Sequence, residues 1–195
     1  MTRIAHRSRI GSIARASGLI APVLVIGAIV AATVASSEFT WTASALSELG
    51  VEGGLPALLF NGGLIAGSVV ALPYTIALRR QGTRSVAALF VLALVAMALV
   101  GVFRMGQPLH LPVAVGFYLL ATATMIADGL ARRQRRTGRA ALVTAGFHLL
   151  AWGSWFTGVR LGPGLALPEL AGAVAFAVWM IALSPAAPLS EDPDS

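Results

Sequence analysis

The sequence predicts an all-α protein, a polytopic membrane bundle of six transmembrane helices with both termini cytoplasmic. Three observations lead there. The 195 residues are 57% hydrophobic and only 11% charged, with a mean hydropathy of +0.82, far more apolar than an ordinary soluble domain. Apolar stretches recur along the whole chain, and six of them reach the roughly 20 residues a helix needs to cross a hydrocarbon core. Runs of that length match helices, which satisfy their own backbone, and not the short alternating strands of a barrel. Finally, the arginines lie in short groups between the stretches.

The first span is placed at Ser17 to Ser36, behind Arg3, Arg7, Arg9 and Arg15. Small residues from Thr33 to Ser36 imitate a signal-peptide cleavage site, but the apolar run exceeds the ~7 to 15 residues of a signal core, so a retained helix is expected. The second span, Pro56 to Leu78, carries Asn61, Ser68 and Thr75 at seven-residue intervals on one face. Its Gly63 and Gly67 form a small-xxx-small pair that allows close helix approach. Arg79, Arg80 and Arg84 separate it from the third span, Ser85 to Phe103.

The fourth span, Leu111 to Ala131, follows His110 and bears a seam of Phe117, Ala121, Thr124 and Asp128; Asp128 is expected to pair with Arg132 one turn on. Arg132, Arg133, Arg135, Arg136 and Arg139 precede the fifth span, Ala140 to Val159, where Thr144, His148, Trp152 and Trp155 share a face. The sixth is placed at Ala166 to Ser184. The chain thus divides into a basic N-terminal segment (1–16), a transmembrane domain (17–185) and an acidic tail (186–195) with Glu191, Asp192 and Asp194, expected to be disordered.

Of the 14 basic residues, all arginine, only Arg104 and Arg160 fall on the opposite side of the spans from the rest. The positive-inside rule therefore places both termini in the cytoplasm, in a multi-pass protein of the cell membrane. The formal charge of +6 does not indicate nucleic acid, because the arginines are not interleaved with aromatics on one surface. There is no cysteine, which excludes disulfides, thiolate catalysis and cysteine metal sites.

Read in alternating directions, the spans bring a set of polar residues to the non-cytoplasmic face. Ser47 and Glu48 lie in TASALSELGVEGG, whose leucines suggest a short amphipathic helix at the interface. Asn61 lies below the outer end of the second span, Arg104 and His110 lie in GVFRMGQPLH, and Arg160 and Glu169 flank RLGPGLALPE. These seven form a candidate outer polar cluster, with Arg104 and Arg160 as its rim. Charges at such loop ends also snorkel into headgroups without further role. His148, near the middle of its span, is a separate candidate, since an ionisable group at that depth is a functional hypothesis by default; a neutral imidazole packed on Trp152 is its structural counterpart. No H-E-x-x-H, G-x-S-x-G, Walker A or Rossmann pattern is present, and without paired ligand spacing no metal site is expected.

The runs LSELG (Leu46 to Gly50), FNGGLIAGSVVAL (Phe60 to Leu72) and LVGVF (Leu99 to Phe103), with His110 after the last and Glu169 opening the final helix, resemble the prokaryotic membrane family catalogued as domain of unknown function 998. The resemblance covers about Leu46 to Ser184 and implies a small polytopic protein whose recurring polar positions match Ser47, Glu48, Asn61, His110 and Glu169. The family often has proline where Arg104 stands and arginine where Leu170 stands. It names no activity and no cofactor. Three readings follow: a helical bundle that binds a lipid, a small ligand, a membrane protein or a second copy of itself at its outer mouth; an intramembrane enzyme on lipid-like substrates, with His110 as acid or base beside Glu48 or Glu169; and a small transporter.

Overall fold

Seven α-helices make up most of the described residues. The structure, a computed structural model, describes the backbone of residues 2–189 and the side chains of residues 11–189; Glu191, Asp192 and Asp194 lie outside the described residues, whereas residues 186–189, expected to belong to the same disordered tail, are described, with Ala186 and Ala187 buried. The helices are α1 (Thr2–Ala35), α2 (Gly54–Ala71), α3 (Tyr74–Gln81), α4 (Arg84–Val102), α5 (His110–Ala131), α6 (Arg136–Phe156) and α7 (Ala166–Val178). One turn of 3-10 helix, Leu46–Gly50, interrupts the loop before α2, and a wider π turn, Trp179–Leu183, prolongs α7. No strand occurs among the described residues.

Among the described residues, five helical stretches are long and apolar enough to cross a membrane: Gly11–Ala35, Gly54–Ala71, Arg84–Val102, His110–Ala131 and Ala166–Leu183. The remaining long helix, α6, has 21 residues and is therefore about 31 Å long at ~1.5 Å per residue. It is less apolar because its first turn holds Arg136 and Arg139 and its packed face holds His148. It nonetheless runs the length of the bundle. Near its start Thr137 accepts from Arg132, and near its end the Trp155 indole donates to Gly164 O at 2.8 Å beside the start of α7.

The start and stop points follow from local chemistry. Pro56, Pro112 and Pro168 all fall in first helical turns, where a missing N–H costs nothing. Thr83 caps α4 by accepting from Val86 N–H at 3.3 Å. The apolar run expected as one helix from Pro56 to Leu78 is instead split at Leu72 and Pro73: Leu72 N–H and Thr75 N–H turn to carbonyls three residues back, at 3.1 Å each, because the proline ring obstructs the α-helical ladder. The short α3 then turns Arg79 and Arg80 to the surface.

α1 packs tightly against α2. A Cβ on Gly63 would strike Ala28 Cβ, and one on Gly67 would strike Val25, so the glycine pair sets the separation of the two helices. The core between α3, α4 and α7 is aromatic: Phe176 stacks on Trp179 with ring centroids 5.5 Å apart, and Phe90 lies against both of them and against Tyr74. One end of the bundle, its mouth, holds the loops before α2, α5 and α7; the opposite end holds Arg79, Arg80 and the α5–α6 turn.

Candidate functional site: the mouth of an axial cavity

The loop between α1 and α2 folds over the mouth as a lid. Ala45 N–H donates to Glu48 Oε1 at 3.1 Å, closing the 3-10 turn so that Leu46 and Leu49 point inward and are buried. The turn therefore packs into the bundle, whereas the sequence suggested an interfacial helix. Backbone bonds tie the lid to the loop before α7: Gly164 N–H donates to Thr42 O at 2.9 Å and Ala166 N–H to Ser44 O at 3.0 Å. A Cβ on Gly164 would lie 2.5 Å from Ser44 O, so this pairing needs glycine. From α7, Glu169 Oε2 accepts from Leu46 N–H at 2.6 Å. From α2, Asn61 Nδ2 donates to Gly50 O at 2.9 Å, while its buried Oδ1 has no partner.

Under the lid a cavity of about 70 Å³ extends between α1, α2, α4, α5 and α7. Its wall on α2 runs from Phe60 to Ala71, and on α7 and the π turn that prolongs it from Glu169 to Met180, on the order of 16 Å at 1.5 Å per residue. The shaft is apolar, and the polar side chains on the wall, Ser47, His110, Tyr118 and Glu169, belong to its mouth end.

Of the seven residues of the expected cluster, Ser47, His110 and Glu169 share this cavity. His110 sits at the start of α5, its Nδ1 2.7 Å from Phe103 O. A carbonyl only accepts, so Nδ1 carries the proton, and in the neutral ring Nε2 is left with a lone pair. Ser47 Oγ donates to Met105 Sδ at 3.5 Å. Glu48 is exposed and occupied with its own turn. Arg104 and Arg160 are exposed too; the latter lies over the Trp155 ring, 5.2 Å from its centroid, a cation–π contact. No hydrogen bond or ion pair joins any two of the seven among the described residues. No group of three or more His, Asp or Glu side chains able to hold a metal is found among the described residues.

His148 is 1% exposed and saturated. Trp152 Nε1–H donates to its Nε2 at 3.1 Å, and its Nδ1 lies 2.8 Å from Thr122 Oγ1, which itself donates to Tyr118 O at 2.7 Å. Because an indole N–H can only donate, Nε2 must be unprotonated, and the ring is neutral with its proton on Nδ1. It has no lone pair left to offer, and Gly172 of α7 makes room for it. The pair Asp128–Arg132 forms as the spacing suggested, and also takes in the Trp179 indole, Thr137 and Leu183 O. No chain of hydrogen bonds links Asn61, His148 and Asp128 among the described residues.

Sequence reasoning missed Tyr118, whose hydroxyl donates to Glu169 O at 3.2 Å and which lines the cavity. Its signal was available: it lies two turns along from His110, the only tyrosine in α5. It also missed the backbone partners Leu46 N–H and Phe103 O, which have no side-chain signature.

The model of the family described as "Protein of unknown function (DUF998)" matches residues 19–185. The chain belongs to this family. The matched DUF998 region takes in the lid, the cavity and all seven polar positions. No curated protein and no solved structure matches the chain.

Proposed function

We propose that this DUF998 protein binds one lipid-like amphiphile, with its head beneath the lid at Ser47, His110 and Glu169, the first part of its tail in the axial cavity and the remainder leaving at the side between α1 and α7. The observation that carries this reading is the distribution of polarity: a shaft with apolar walls and polar groups at one end matches an amphiphile in both parts. Access for a tail is available at the side, since α1 and α7 both border the cavity yet touch each other sparingly. We further propose that α6 crosses the membrane with the other five spans, supported by its length and its course from one end of the bundle to the other. With six crossings and the arginines grouped at one end, both termini face the cytoplasm and the mouth faces outward.

The orientation predicts that a periplasm-active reporter is active when inserted after Ser37 in the lid and silent when fused at Ser195; activity at Ser195 would overturn it. Binding is tested by native mass spectrometry of the protein purified in mild detergent. One amphiphile per chain is expected, and it should be lost on Ala114→Phe or Ala173→Phe, which fill the wall one turn from His110 and Glu169. A wild-type chain with no adduct, or equal occupancy in both filled variants, would contradict the proposal.

A further inference from the structure

The four polar side chains on the cavity wall have their hydrogen-bonding capacity oriented in one sense. Ser47 Oγ–H is directed to Met105 Sδ at 3.5 Å, Tyr118 O–H to Glu169 O at 3.2 Å and His110 Nδ1–H to Phe103 O at 2.7 Å. Each of these acceptors lies on the protein, so the proton of each side chain is already used. What remains for a ligand is a set of lone pairs: on the serine and tyrosine oxygens, on His110 Nε2 and on Glu169 Oε1, the carboxylate oxygen not held by Leu46 N–H. No guanidinium stands on the wall, because Arg104 and Arg160 are exposed and outside the lining.

We infer that the head of the amphiphile is a hydrogen-bond donor, a hydroxyl or an amine, and that phosphate- and carboxylate-headed lipids are rejected. This rests on the cavity being an amphiphile site as proposed above. A donor head gives the lone pairs that face the cavity a hydrogen-bond partner. An anionic head brings only further lone pairs to a wall that presents lone pairs and no guanidinium; leaving such groups unpaired is how a buried site discriminates by more than shape.

Three probes with one tail separate head from tail: oleyl alcohol, oleylamine and oleyl phosphate, titrated by native mass spectrometry into the full-length protein in detergent. The alcohol and the amine should each bind at least tenfold more tightly than the phosphate, and Glu169→Gln, which replaces one carboxyl oxygen by an amide donor, should narrow that gap at least threefold. A phosphate that binds as well as or better than the alcohol in the wild-type protein overturns the inference while leaving the amphiphile site standing. Failure of all three probes overturns the site itself and the inference with it. The wild-type ranking decides by itself should Glu169→Gln not fold.

Discussion

Asp128→Ala should destabilise the detergent-solubilised protein by about 3–5 kcal/mol, the range found when one partner of a buried ion pair is removed. Asp128 is 1% exposed, and its carboxylate is fully engaged: Oδ1 accepts from Arg132 Nε at 2.7 Å, and Oδ2 accepts from Arg132 Nη2 and from the Trp179 indole at 2.8 Å. The guanidinium in turn donates to Thr137 Oγ1 at 2.8 Å and to Leu183 O at 2.6 Å. Arg132 therefore joins α5 to the start of α6 and to the π turn after α7, where Leu183, the last residue of the turn, has a carbonyl without a partner inside the helix. Deleting the carboxylate strands a largely buried cation and an indole N–H together. Removing both charges is a different matter, because the desolvation cost disappears with them. The double variant Asp128→Leu, Arg132→Met should lose far less than Asp128→Ala in thermal melts followed by tryptophan fluorescence. Equal losses would show that the effect comes from packing and not from the stranded charge.

Gly63→Ala should cost about 1–3 kcal/mol, the usual penalty for forcing an extra group into a filled site, while Gly62→Ala should gain up to about 1 kcal/mol from helix propensity. The two positions are neighbours with the same local sequence, so propensity favours alanine equally at both. Their surroundings differ. A methyl at Gly63 meets Ala28 Cβ, which is fixed to the α1 backbone and has no rotamer to yield, whereas nothing lies within 4 Å of one at Gly62. Since α1 and α2 both wall the cavity, Gly63→Ala should also weaken amphiphile binding. Matching shifts in melting temperature at the two positions would mean that α1 is not docked on α2 through this pair.

Features that repeat with helical period were legible in the sequence. The third, fourth, fifth and sixth apolar stretches became helical near their expected bounds, while α1 begins at Thr2, well before the expected Ser17; Asp128 found Arg132 four residues on, and His148 found Trp152 at the same spacing. The break at Pro73 was readable too, had the proline been weighed above the apolar run that carries through it. What could not be read were bonds made by backbone atoms across long separations. Glu169 is held by the N–H of Leu46, 123 residues earlier, and a peptide N–H is the same at every position. The roles within the outer polar set were equally hidden, because an exposed rim arginine and an arginine turned into a mouth have the same sequence setting. Arg104 and Arg160 proved to lie outside the cavity that Ser47, His110 and Glu169 line.

The account depends most on a lipid-like tail lying inside the bundle, and photolabelling reads that location directly. A long-chain alcohol with a diazirine in its tail is incorporated into membranes containing the full-length protein, irradiated, and its adducts are mapped by peptide mass spectrometry. Labels are predicted on Leu64, Met97 and Phe176, which line the cavity and are 7%, 7% and 4% exposed, with loss of those labels in Ala114→Phe. Labels confined to outward residues such as Leu58, Leu119 and Val143, which are 69%, 62% and 72% exposed, would show a probe that meets the protein only as bulk lipid and would contradict the proposal.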